Sequence, residues 1–137
     1  MSTQIFVNLA VTDLPRSIAF FEALGWKVNP QFTNEQGACV VISDTVHAML
    51  LTRDFFQTFI PGKALCEPRT HLETITCLSA DSQAEVNRLV DAAVAAGATI
   101  PREPQDMGFM YSRSFDDLDG HQWEVVHMDM SKFPEQA

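Results

Sequence analysis

Residues 4–25, QIFVNLAVTDLPRSIAFFEALG, change their hydrophobic period once, and that change decides the fold. From 4 to 11, Ile5, Val7, Leu9 and Val11 alternate with Phe6, Asn8 and Ala10. That two-residue repeat is the signature of a strand with two distinct faces. Asp13 then stands where an N-cap belongs, with Pro15 in the first turn. Leu14, Ile18, Phe21 and Leu24 follow at helical spacing, so residues 13–24 read as an amphipathic helix that Gly25 stops.

Downstream, a short strand is predicted at 26–28, then a hairpin of 38–42 and 46–52 turning at Ser43-Asp44-Thr45. The same order then returns. Residues 72–79 read as a strand, and Ser82 with Glu85 forms a capping box. Val86, Leu89, Val90, Ala93 and Val94 make a helical stripe that Gly97 ends. A strand is predicted at 98–100, and a final hairpin pairs 110–116 with 121–128 around Asp117-Leu118-Asp119-Gly120. Residues 105–109 read as a loop able to overhang a cavity. The expected class is therefore α+β: two βαβββ modules forming a curved mixed sheet around a cavity, with a helix behind each half. Concave faces of this kind bind small molecules.

The whole chain, 1–137, is expected to be one domain. Module one covers about 4–52, a linker 53–69, module two about 70–128, and a loosely attached tail 129–137. The linker holds Pro61, Gly62 and Pro68, with Phe55, Phe56, Phe59 and Ile60 expected against the core.

Nine Lys and Arg against 18 Asp and Glu give a net charge of -9 and a pI near 4.6. Nucleic acid and anionic membrane partners are disfavoured, because both require a basic face. Cys39, Cys66 and Cys77 are odd in number and form no CxxC pair, which gives neither a disulfide framework nor a zinc site. Cys39 and Cys77 lie in apolar runs and are read as packed thiols. The start, Met1-Ser2-Thr3-Gln4, has no basic segment followed by an apolar one. No stretch approaches the roughly 20 apolar residues that span a bilayer. A cytoplasmic location is expected.

Two motifs carry a resemblance. Asp13-Leu14-x-x-Ser17-x-x-Phe20-Phe21-x-x-Leu24-Gly25 and the later Asp117-Leu118-Asp119-Gly120-His121-x-Trp123-Glu124 resemble the vicinal oxygen chelate superfamily. That superfamily includes glyoxalase I, the bleomycin and fosfomycin resistance proteins and the extradiol dioxygenases. Leu118 stands where the family usually has Pro. The resemblance implies paired βαβββ modules, homodimerisation, and, in metal-dependent members, one ligand from each of four strands. Those positions here are Phe6, roughly Leu50, Glu73 and Glu124. Phe6 and Leu50 carry no donor, so no complete metal site is expected, and a divalent ion at Glu73 and Glu124 is not the favoured reading. The chain is expected to bind a small molecule without a full four-ligand metal site. The alternative is a metal-dependent lyase, isomerase or dioxygenase acting on a substrate with adjacent oxygens.

Glu124 is the catalytic candidate, because an unpaired carboxylate in an apolar strand is costly. Either it is a ligand or general base, or it is paired with a cation. A hairpin symmetric about Leu118-Asp119 places Arg113 opposite Glu124 and Tyr111 opposite Val126 on the same face. Arg113 then either grips a substrate carboxylate or neutralises Glu124. A single bulge would separate them. Phe6 and Asn8 share the inward parity of the first strand, which makes them, with Glu73, Tyr111 and Arg113, the pocket candidates. No histidine pattern suggests catalysis, and Trp123 is expected to pack toward a helix.

Overall fold

The computed structural model describes residues 2–134. It divides into two compact units, Met1–Glu67 and Pro68–Ala137.

In the first unit, β1 (Ile5–Val11) leads into α1 (Leu14–Ala23), whose N-cap Asp13 accepts from the Arg16 amide. Then come β2 (Lys27–Asn29), β3 (Gly37–Val41) and β4 (Val46–Thr52). The sheet order is β1-β4-β3-β2, with β1 parallel to β4 and the other pairs antiparallel. One face carries the fully buried Ala38, Val40, Ala48 and Leu50, and α1 packs on β3 and β4. Within the stretch read as a linker, Thr52 caps a short helix, α2 (Arg53–Thr58). Phe59 is not tucked away as expected. It is 63% exposed, and its ring meets Phe55 edge-on.

The second unit repeats the topology. β5 (Thr76–Ser79) precedes α3 (Gln83–Ala95), capped by Ser82, and then come β6 (Gln105–Asp106), β7 (Met110–Asp116) and β8 (Gln122–Met128). The order is β5-β8-β7-β6, with β5 parallel to β8. Each unit is thus a βαβββ module with its own four-stranded mixed sheet, and the fold is α+β.

Three expectations change. β5 begins at Thr76 rather than Leu72, and its ladder with β8 runs from Thr76 opposite Trp123 to Ser79 opposite Val126. The strand expected at 98–100 reduces to a single bridge between Thr99 and Asp116, and the edge position falls to Gln105–Asp106 instead. Pro101 and Pro104 lie between them, and proline cannot donate to a ladder. The start of the tail is anchored, not loose. The Asp129 amide donates to Phe109 O at 2.7 Å, a 3-10 turn follows at Met130–Lys132, and the Phe133 ring packs on Phe109. The last tail positions, 135–137, lie outside the described residues.

The final hairpin is set by a buried carboxylate. Asp117 Oδ1 accepts from the amides of Asp119 and His121, and Oδ2 accepts from the Trp123 indole, all at 3.0 Å. Gly120 closes the loop with a φ of 98°. Burial raises the Asp117 carboxyl above its usual range, although the His121 charge and the indole and amide bonds pull the other way. The folded chain therefore holds this proton more tightly than the unfolded chain does. The group's contribution is whole below the unfolded carboxyl value and declines as pH rises toward the folded one. Asp117→Asn, which turns one acceptor into a donor facing the indole, should cost about 1–3 kcal/mol. The deficit should narrow as pH rises above about 4. Urea unfolding across pH measures both, and a cost below about 0.5 kcal/mol would contradict this role for the loop.

Candidate functional site

Glu124 lies mid-way along β8. Parallel pairing sets Cys77 of β5 beside it, and antiparallel pairing sets Ser114 of β7 on its other side. The next row, Ser79, Val126 and Ser112, shares this face, since residues two apart along a strand point the same way. Tyr111, Arg113, Phe115, Trp123 and Val125 point to the opposite side. There the Tyr111 hydroxyl donates to Asn87 Oδ1 at 2.8 Å, and Arg113 donates to Asn87 and Asp91 on α3. Glu124 therefore occupies the face turned away from the helix, and Trp123 packs stacked on Phe115 toward it.

This corrects the expected pairing of Arg113 with Glu124. Arg113 faces Val125, and Tyr111 faces His127. The loop capped by Asp117 is centred on Asp119 rather than between Leu118 and Asp119, which slides β7 one residue against β8. One residue of slip exchanges the faces. Arg113 instead makes an ion pair with Asp91 at 2.9 Å, and because Asp91 is 69% exposed that pair contributes under about 1 kcal/mol.

The neighbour of Glu124 is a thiol. Cys77 Sγ donates to Glu124 Oε1 at 3.5 Å. Partial desolvation by the sheet, then the Glu124 charge and the hydrogen bond, push the thiol up to about 11. At neutral pH the sulfur is protonated and acts as a neutral donor. Cys77 was read as a packed thiol, yet the residue is exposed. A signal for its place did exist: Cys77 precedes the cap Ser82 by as many residues as Asn8 precedes the cap Asp13, so the repeat makes the two equivalent. Glu73 is not brought to this row. It is exposed and precedes β5, four positions before Cys77.

In the first unit, Phe6 and Asn8 lie on the face opposite Leu9, beside His47 and Met49 of β4. The half-exposed Phe6 ring stacks on His47 with centroids 4.4 Å apart, and His47 Nδ1 lies 3.4 Å from Ile5 O. The Asn8 amide donates to Phe6 O at 3.3 Å. Leu50 sits on the other face, fully buried.

A family model for the glyoxalase/bleomycin resistance protein/dioxygenase superfamily matches residues 4–125. The chain belongs to this superfamily. Solved structures agree in fold. A hypothetical protein from S. aureus is 28% identical with a TM-score of 0.76, covering 93% of this chain and 95% of its own. A glyoxalase-related enzyme from Fulvimarina pelagi is 22% identical (TM-score 0.75, covering 93% and 88%). A lactoylglutathione lyase from Agrobacterium tumefaciens is 18% identical (TM-score 0.68, covering 93% and 94%). No curated protein matches the chain.

Metal-dependent members of the superfamily need four donor side chains, and this chain does not provide them at the corresponding positions. Phe6 has none, Leu50 is enclosed in the core while its neighbour Met49 on the Phe6 face offers only a thioether, and Glu73 stands off the strand that approaches Glu124. Among the described residues, no three of His, Cys, Asp and Glu gather as a metal cage.

The thiol–carboxylate pair can be read directly. With Cys66→Ser removing the other exposed thiol, alkylation of Cys77 against pH should titrate near 11. Glu124→Gln should shift that midpoint downward, since the carboxylate's charge and bond both raise it. An unchanged midpoint would mean that the two groups do not interact.

Proposed function

We propose that this superfamily member is a small-molecule-binding protein whose ligand engages Glu124, and that it works without a four-ligand metal centre. One observation carries the reading. Glu124 is a carboxylate on the helix-free face of its sheet, and its hydrogen-bond partner among the described residues is a neutral thiol, not a cation. A ligand N–H or O–H can replace a weak S–H donor with little loss, whereas displacing an arginine would leave two charges to resolvate. Buried Ser112 and Ser114 on the same face supply further hydroxyls. Phe6 and Asn8 give the first unit an aromatic surface and an amide on its own helix-free face.

A second reading is catalytic, and the carboxylate at position 124 favours it. Glu124 would serve as the general base of a lyase or isomerase, moving a proton on a substrate with adjacent oxygens. We place the protein in the cytoplasm as a homodimer. No helix among the described residues is long and apolar enough to cross a membrane, and each four-stranded sheet has edge strands available for pairing.

Glu124→Gln should weaken binding of a screened ligand about tenfold while leaving the melting temperature within a few degrees. Lost stability with intact binding would make Glu124 structural. Elemental analysis of chelator-free protein separates the readings: near-stoichiometric zinc, nickel, manganese or iron would overturn the metal-free one. Light scattering should give twice the 15.3 kDa chain mass, and a monomer alone would reject the dimer.

A further inference from the structure

The second unit has another concavity, on the side of its sheet that faces α3 and so away from Glu124. It is an open cleft of about 400 Å³. Its floor is two rings set directly opposite each other across the β7–β8 ladder, Tyr111 and His127. Both rings are anchored from below. The Tyr111 hydroxyl is held by Asn87 at 2.8 Å, and His127 Nδ1 lies 2.9 Å from Ala80 O. A carbonyl only accepts, so Nδ1 is the donor of this bond. Phe109 forms one wall and is itself steadied by Phe133. Rings fixed in advance lose little freedom when another ring stacks on them, which is how aromatic sites gain affinity.

The charged lining decides what kind of ring fits. Asp106 and Asp129 line the cleft with Lys132, two carboxylates to one ammonium, beside the His127 ring. Each carboxylate is pinned through Oδ1 by its own loop, to the Gly108 amide and to Ser131, so neither can swing away. Asp129 is held below the usual carboxylate range, chiefly by the Ser131 hydroxyl, and stays ionised at neutral pH. The lining thus offers two carboxylate acceptors beside the paired rings.

We propose that this cleft is a second small-molecule site, separate from the Glu124 face, for a flat aromatic amine or amidine: a ring that stacks on Tyr111 and His127 and bears N–H donors directed at Asp106 and Asp129. The site needs no metal and no residue of the Glu124 row.

Amide-resolved NMR of the full-length protein, titrated with benzamidine and in parallel with benzoate, tests it. Both probes present one flat ring, and only the sign of the polar group differs. Benzamidine should give saturable shifts centred on Phe109, Tyr111 and His127, with a Kd on the order of millimolar for so small a molecule. Benzoate should bind at least about tenfold more weakly. Asp106→Asn should weaken benzamidine roughly threefold and Lys132→Ala should strengthen it by a similar factor. Both are surface changes that leave the core intact. Equal binding of the two probes, or charge variants without effect, would remove the ligand class. No saturable shift at these residues would remove the site.

Discussion

The arrangement of the second unit depends on where one buried carboxylate finds its donors. Asp117 is enclosed, and an ionised group there without partners would cost several kcal/mol. Two loop amides and the Trp123 indole satisfy it, and together they fix the loop's length and centre. The indole also ties the loop to the packed side of β8, because Trp123 stacks on Phe115 in the core. Loop geometry and core packing thus enforce the same register. Centred one half-step earlier, the same sequence would set Arg113 beside Glu124 and neutralise it. The carboxylate that makes the site distinctive is spared Arg113 because another carboxylate, seven residues earlier, is well bonded.

The parts of the fold that could be read from sequence are those where a local pattern and a local cap agree. β1 and α1 were legible because strict alternation gives way to helical spacing at Asp13, and β4 because the turn residues Ser43-Asp44-Thr45 precede it. Residues 72–75 look extended and apolar enough to be strand, but a strand exists only where a partner lies alongside, and β8, which starts at Gln122, leaves 72–74 without one. At 98–100 the chain has the right residues with two prolines close behind, so the edge ladder re-forms only at Gln105. Pairing is a long-range property, and composition within a window carries little of it.

The candidate site was half legible for the same reason. A glutamate inside an apolar strand stands out in any reading, so Glu124 could be named. Its neighbours could not, since Cys77 is brought beside it by a parallel pairing 47 positions apart, and Arg113 is removed by a side-chain network inside a loop. Counting back from the helix caps would have recovered Cys77 as the counterpart of Asn8. It would also have matched Phe6 with Ile75 and Gln4 with Glu73, taking Glu73 out of the row that matters.

That correspondence makes the two modules a comparison of one scaffold carrying different chemistry. At equivalent places in the parallel strand pair, the first module puts Asn8 beside Met49, and the second puts Cys77 beside Glu124. The first pair is uncharged and its amide is already engaged by the Phe6 carbonyl. Only the second presents an ionised acceptor. Its partner is a thiol, the weakest donor among the common polar side chains, kept neutral in part by the very charge it touches. A stronger donor would stabilise the carboxylate more and release it less readily. A bare carboxylate would hold no defined orientation while empty. The S–H contact lies between these limits: it orients Glu124 on the sheet face at small energetic cost and gives way to any better donor that arrives. On this scaffold, then, the ability to recognise a ligand rests less on how many polar groups surround the carboxylate than on how weakly the thiol beside it holds it.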